Sequence, residues 1–381
     1  MRFASDEDAM QYALRLARRG FGAVEPNPQV GAVLTTADGQ LIAEGWHQAC
    51  GGPHAEVHAL RAAGERARDA VLYVTLEPCC HHGRTPPCTE AVLAAGVRRV
   101  VVGCADPAPH VAGRGLQQLR AAGLAVEEGV CGAEATSLIA PFERLQLQQR
   151  PWVHAKWAMT LDGRVASRTG HSRWISGPAS LRYVHALRSR MEAIVTGAGT
   201  VRADDPQLTV RLTEAGDSEF PAAARVPLRV VLDTHGTAVQ AGCGLLRTLP
   251  LAPLLVCVGA GCAEAECERL RGLGVQVLRV DGGDGGDGGG VAIGQVLAEL
   301  GRRGLTHVLL ECGPGLMGSF FDAGLVDEVH VFVAPKLVGG GAALGPVGGL
   351  GLELIPGRGV LEDVSWRQLG DDLLLEGRIR R

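Results

Sequence analysis

Aromatic side chains are scarce in this 381-residue chain, at 4% of positions, and neither charge sign dominates, with 37 Lys and Arg against 41 Asp and Glu. A general nucleic-acid binder needs a basic surface and stacking platforms, so both shortages argue against one. Long apolar runs are missing as well. The longest stretches free of Asp, Glu, Lys and Arg, Thr248 to Ala263 and Leu337 to Leu352, carry Pro or Gly and span 16 residues each. Both fall short of the ~18 apolar residues of a candidate membrane span. Residues Met1 to Met10, MRFASDEDAM, place acidic groups where a secretory signal needs an apolar core, so a cytoplasmic location is expected. Eleven cysteines is an odd number for a disulfide framework, and in a reducing compartment clustered Cys and His point to metal or catalysis. What the chain does have is length and apolar content, 46%, sufficient for two or three domains with their own cores.

Ser5, with Asp8 three residues on, precedes an apolar-periodic run through Met10, Ala13, Leu14 and Ala17 that stops at Gly20, the pattern of a capped opening helix. Apolar runs at 30–34, 41–43, 71–75, 100–102 and 125–127 then alternate with helical patterns at 55–63, 89–95 and 116–122. Such alternation predicts a largely parallel sheet. A second series starts at Val153, with strands near 193–196, 228–232, 254–258, 275–280, 307–311 and 328–333. The Gln- and Arg-rich stretch Glu143 to Pro151 between them reads as a solvated helix end and a linker. The boundary is placed near 148, giving domains 1–148 and 149–381. The tract Asp281 to Gly290, DGGDGGDGGG, reads as a flexible surface loop, too short for a calcium-binding β-roll and without its apolar position.

The chemistry concentrates at residues 54–88. His54 and Glu56 open a predicted helix, and Cys79 follows a strand with Cys88 nine residues later. Zinc takes imidazole and thiolate tetrahedrally, and a catalytic site supplies three protein ligands and leaves one position to water. His54, Cys79 and Cys88 make that set, with Glu56 placed to take a proton and deliver it to a departing amine. H-x-E followed by P-C-x-x-C is the signature of zinc nucleobase deaminases. Here the second half is stretched, which leaves Cys80, His81 and His82 as rival ligands. His58, one turn after His54, reads as a core or supporting residue. A structural zinc knuckle is the plain alternative, but it closes with four protein ligands and has no use for Glu56.

PNPQVGAV at 26–33, HAEVHAL at 54–60 and EPCCHHGRTPPC at 77–88 together resemble the deaminase half of the bifunctional riboflavin-biosynthesis deaminase/reductases. HAKWAMTLDGR at 154–164, SRWIS at 172–176, TGAGTVRADDPQLTVR at 196–211 and ECGPGLMGS at 311–319 resemble the reductase half, in the same order. The resemblance implies an α/β chain, a cytidine-deaminase-like three-layer domain followed by a dihydrofolate-reductase-like domain. It implies one zinc per chain, held by His54, Cys79 and Cys88, with Glu56 as proton shuttle and Asn27 on the pyrimidine. In the second half it implies NADPH bordered by Ala158, Trp174, Thr200, Asp204, Thr234 and the run Gly313, Pro314, Gly315, Leu316, Met317, Gly318 and Ser319. Substrate contacts are implied for Ser172, Arg188, Leu208, Arg211 and Glu311, with the two arginines suited to a phosphate. Lys156 and Asp162 fall near the nicotinamide or ribose. At Asp106 to Gly115 the family usually has Asn where this chain has Ala108, and Gly113 and Gly115 read as a helix-starting turn.

The implied activity is deamination of 2,5-diamino-6-ribosylamino-4(3H)-pyrimidinone 5′-phosphate, then NADPH-dependent reduction of the ribosyl group to ribityl. The product is 5-amino-6-(5-phosphoribitylamino)uracil. The expected partner is this small phosphorylated pyrimidine, with no nucleic acid and no membrane, and the family is usually a homodimer or homotetramer. A non-catalytic zinc scaffold and a nucleic-acid deaminase with an appended domain are the competing readings.

Overall fold

The computed structural model describes all residues except 83–85, 109–110, 213–224, 281, 283–289, 357–359 and 381. Most of the Asp281 to Gly290 tract therefore lies outside the described residues. The chain divides into two compact units, Met1–Gln149 and Arg150–Arg381.

The first unit runs α1 (Asp6–Ala17), β1 (Gly31–Thr35), β2 (Leu41–Trp46), α2 (Ala55–Ala63), β3 (Val71–Leu76), α3 (Cys88–Ala95), β4 (Arg99–Cys104), α4 (Arg114–Ala121), β5 (Ala125–Glu128) and α5 (Gly132–Gln148). Helix α1 starts where its cap is. The Ser5 hydroxyl accepts the Asp8 N–H at 3.2 Å, and the Asp8 carboxylate accepts the Ala4 N–H at 3.2 Å. The sheet order is β2-β1-β3-β4-β5. Strand alternation splits its side chains between two cores. Ala32, Leu34, Leu72, Val74, Val100 and Val102 meet residues of α2, α3 and α4, whereas Val33, Val71, Tyr73 and Val101 meet α1. The result is three layers. The expectation of a largely parallel sheet is corrected here: β1 runs antiparallel to both β2 and β3, and only β3, β4 and β5 are parallel. The five residues between β1 and β2 are far too few for a parallel crossover, so these two strands form a hairpin.

The second unit runs β6 (Trp152–Thr160), α6 (Pro178–Arg188), β7 (Ala193–Gly197), α7 (Ala198–Asp204), β8 (Leu228–Leu232), α8 (Gly244–Arg247), β9 (Leu254–Gly259), α9 (Glu264–Gly272), β10 (Gln276–Val280), α10 (Ile293–Arg302), β11 (His307–Leu310), α11 (Pro314–Asp322), β12 (Glu328–Ala334), β13 (Leu361–Leu369) and β14 (Asp372–Ile379). Its sheet order is β10-β9-β8-β7-β11-β6-β12-β14-β13. The strands from β10 to β12 in that order are parallel, and the C-terminal hairpin adds antiparallel β14 and β13. Val153, Ala155, Val195, Val308 and Leu310 pack with Leu297 of α10 and with Met317 and Phe320 of α11. On β6 the intervening residues, His154 and Lys156, alternate to the other face. In the reading of Glu143 to Pro151 the solvated helix end stands, since α5 ends at Gln148 among exposed residues, but the linker that follows is corrected. Arg150 is buried and pairs with both carboxylate oxygens of Asp327 at 2.8 and 3.0 Å, so this residue belongs to the packed second unit.

Candidate active sites

In the first unit, His54 sits at the N-cap of α2 in extended backbone, and Glu56 occupies the first turn. Cys79 lies just beyond β3, and Cys88 is the first residue of α3. His54 Nδ1 is 3.2 Å from Cys88 Sγ and 3.6 Å from Cys79 Sγ. Zinc with ordinary bond lengths to nitrogen and sulfur separates such donors by ~3.6 Å at a tetrahedral centre, so this trio fits the ion. The Cys88 N–H donates to Cys79 Sγ at 3.3 Å, the setting in which a helix start favours a thiolate. The contact from the Cys88 side chain brings the Cys79 thiol down to about 4 against the opposing effect of burial. The same contact and burial push Cys88 up. Glu56 is 3% exposed, and burial raises its carboxyl above the ordinary range despite the nearby His54.

A cavity of about 390 Å³ opens on His54 and Cys79 and is also lined by Asn27, His47, Glu56 and Asp106 among others. Asn27 Nδ2 lies 3.1 Å from His47 Nε2, and His47 Nδ1 lies 3.0 Å from the Pro53 carbonyl. A carbonyl can only accept, so His47 carries its proton on Nδ1 and takes the Asn27 amide N–H at Nε2. That bond uses the Asn27 amide nitrogen on His47, and an amide oxygen can only accept. His47, buried and ring-to-edge with His54 at 5.2 Å, has no signal in the local sequence.

Glu77 was quoted in the motif but its task was not legible. Its buried carboxylate accepts the N–H groups of Asp106, Gly113, Gly115 and Leu116 at 2.8 to 3.4 Å, fixing the loop that carries Asp106 and the start of α4. Gly115 is required there, because a Cβ would lie 2.1 Å from the Pro78 carbonyl oxygen. Ala108 is buried and its carbonyl closes the following turn. Among the rival ligands, exposed His82 faces Glu90 at 3.6 Å, and neither it nor Cys80, His81 or His58 joins the donor trio.

The second site lies at the carboxyl ends of β6, β7 and β11. Successive connections after β7 run outward to β10, and β11 then returns between β7 and β6, so the topology leaves a crevice at those ends. Glu311 follows β11 and grips Arg188 of α6 through both oxygens at 2.6 and 2.9 Å, with Lys156 Nζ at 3.7 Å. Burial works against the Glu311 carboxylate, but Arg188 and Lys156 outweigh it and hold the group down to about 2. Arg188 also donates to the Thr209 carbonyl at 3.2 Å, and exposed Arg211 donates to the Thr209 hydroxyl at 3.0 Å. The two guanidiniums thus flank one segment, which includes buried Leu208. Burial, Arg188 and Arg211 together lower the neighbouring His185 to about 4.

Gly313 caps α11 and donates its N–H to the Thr200 hydroxyl at 3.0 Å. A helix start presents unpaired N–H groups and the positive end of its dipole, which suits a phosphate. Gly315 and Ser319 are exposed there, whereas Met317 is in the core and a Cβ on Gly318 would lie 2.2 Å from the Gly348 carbonyl carbon. The Met317 side chain and the Gly318 Cα therefore face inward and shape the turn. Trp174 is two-thirds exposed, with its carbonyl accepting from Lys336 at 2.6 Å. Ser172 and Thr234 are half-buried, Ala158 shares the strand face of Lys156, and Arg173 donates to the Asp204 carbonyl. Asp162 accepts the Thr160 hydroxyl and the Val338 and Gly339 N–H groups, which hold it at about 2.

A thiolate-imidazole trio beside a buried glutamate, on one chain with a parallel-sheet crevice lined by glycine and cations, defines a two-domain deaminase-reductase. The family described as "Cytidine and deoxycytidylate deaminase zinc-binding region" matches residues 4–104, and "RibD C-terminal domain" matches residues 151–375. Riboflavin biosynthesis protein RibD of Escherichia coli is 40% identical over 382 residues, covering 97% of this chain and 98% of that protein. RibD of Aquifex aeolicus is 39% identical over 97% of each. The solved structure of Acinetobacter baumannii RibD superposes with a TM-score of 0.82 at 37% identity over 99% of each chain. The diaminohydroxyphosphoribosylaminopyrimidine deaminase/5-amino-6-(5-phosphoribosylamino)uracil reductase of Thermotoga maritima gives 0.79 at 35% identity over 98% of each. The chain belongs to the RibD family, the bifunctional deaminase/reductases of riboflavin biosynthesis.

Proposed function

We propose that the first unit deaminates 2,5-diamino-6-ribosylamino-4(3H)-pyrimidinone 5′-phosphate and the second reduces its ribosyl group to ribityl, giving 5-amino-6-(5-phosphoribitylamino)uracil. The observation that carries this reading is the His54, Cys79 and Cys88 trio with buried Glu56 beside it, where His54, Cys79 and Glu56 line one cavity. Zinc held by that trio supplies Lewis acidity, and NADPH supplies the hydride of the second step. Glu56, kept proton-ready by burial, takes the proton of the attacking water and returns it to the leaving amine, so ammonia departs neutral. Asn27, aimed by His47, holds the pyrimidine edge. Glu77 fixes the opposite wall through the loop it caps.

In the second unit, Arg211 meets the substrate phosphate, supported by Arg188, whose fork is shared with Glu311. Glu311 and Lys156 face the sugar, and Ser172 and Leu208 border it. Gly313, Pro314, Gly315, Leu316 and Ser319 line the cofactor phosphates, with Thr200 locking the turn and Ala158, Trp174, Asp204 and Thr234 completing the groove. The functional domains follow as 1–148 and 149–381. Among the described residues no helix is long and apolar enough to cross a membrane, and a cytoplasmic enzyme is proposed. Edge strand β13 exposes Val364 and Trp366 at 45% and 63%, a surface suited to a homodimer or homotetramer. Mass spectrometry of the substrate after incubation with zinc-loaded protein tests the reading. Exchange of ammonia for water without NADPH, and a gain of two hydrogens only with it, is expected; an unchanged substrate overturns it.

A further inference from the structure

We propose that His154, Glu328 and His330 form a metal site in the second unit, for a borderline divalent ion of the zinc class. The inference does not depend on the reading of either active site. Strands β6 and β12 are parallel neighbours whose register sets His154 opposite Glu328, and His330, two residues on, shares that face. His154 Nδ1 lies 3.2 Å from His330 Nε2 and 3.6 Å from Glu328 Oε2, and His330 Nε2 lies 3.4 Å from Glu328 Oε1. An ion bonded to nitrogen and oxygen at ordinary zinc distances separates its donors by ~3.4 Å at a tetrahedral centre. The histidine pair lies just under that value, and the carboxylate presents a different oxygen to each histidine at or just above it.

The far side of each donor is already held. His330 Nδ1 is 3.0 Å from Glu376 Oε1, which can only accept while ionised, so that nitrogen carries the proton and Nε2 offers a lone pair. His154 Nε2 lies 3.0 Å from His307 Nδ1, and the Trp152 indole N–H donates to Glu328 Oε2 at 3.1 Å. Carboxylate behind imidazole and a hydrogen bond behind every other donor is the arrangement that orients metal ligands. Loading requires His154 to move its proton from Nδ1 to Nε2, and His307 to take the complementary tautomer. All three imidazoles stay neutral, and no proton leaves the cluster.

Two imidazoles and one carboxylate select zinc, cobalt or nickel over magnesium and calcium. The histidine side chains are 4% and 5% exposed and that of Glu328 is 22% exposed, so the ion enters past the carboxylate and the remaining position faces solvent on that side. The bound ion ties β6 to β12 beneath the reductase crevice.

Metal content of the full chain, stripped with chelator, reloaded with Zn2+ and desalted, tests the site. Two equivalents per chain are expected. His330→Ala and the milder Glu328→Gln should each leave one, and Cys79→Ser should also leave one. Reloaded with Co2+, Cys79→Ser should show ligand-field bands without thiolate charge-transfer absorption, and the Cys79→Ser/Glu328→Gln double variant should lose those bands. A metal content of the unaltered chain no higher than that of both the His330→Ala and the Glu328→Gln chains overturns the proposal. So do two equivalents that neither His330→Ala nor Glu328→Gln reduces.

Discussion

Each unit places a buried glutamate at the heart of its site, and the two are tuned in opposite directions. Glu56 sits among a histidine and two thiols, where burial raises its carboxyl and readies it to carry a proton. Glu311 is clamped by Arg188 and Lys156 and stays ionised down to about 2, so it serves as a fixed charge that positions two cations. The same side chain becomes a shuttle or an anchor according to the charges beside it. That contrast fits the roles proposed for the two residues, proton transfer in the first unit and orientation around a hydride donor in the second.

Three perturbations sharpen the contrast. Glu56→Gln keeps the shape and removes the shuttle, so deamination should fall by ~10²- to 10⁴-fold while zinc content is retained, measured by ammonia release and metal analysis. Glu311→Gln should cost the second unit roughly 3 kcal/mol at neutral pH, the worth of a carboxyl held from its ordinary 4.5 down to about 2. Because the folded value is the lower one, this contribution is present above the unfolded value and lost as pH falls. Denaturation curves of the two proteins should therefore converge between about pH 4.5 and about pH 2. A gap that persists in acid would show that Glu311 is not the ionised anchor. Arg211→Ala should raise KM of the reduction step by ~10-fold, one charge-assisted contact, and leave deamination unchanged.

Local pattern made the zinc donors readable. His54 and Glu56 fall two apart at a helix start and Cys79 follows a strand, so a few residues of sequence carry their geometry. The sequence already favours Cys88 while keeping Cys80, His81 and His82 as rivals, and the start of α3 brings the Cys88 thiol to His54. His47 and the four N–H groups on Glu77 were illegible because their partners lie 20 to 39 residues away. The Arg188–Glu311 pair, 123 residues apart, was seen as two separate substrate contacts. Of the 313–319 run, the Met317 side chain lies in the core and Gly318 packs against Gly348, because a helix turns part of every run inward. The parallel-sheet expectation failed because it passed over the short gap between the apolar runs at 30–34 and 41–43, which leaves no room for a crossover.

Supplying the Glu56→Gln chain with each substrate in turn, alongside NADPH, tests the separation of the two units most directly. The account predicts that the diaminopyrimidine keeps its mass, while the already deaminated ribosylamino compound gains two hydrogens at the rate of the unaltered chain. A Glu56→Gln chain that fails to reduce the deaminated compound would contradict it.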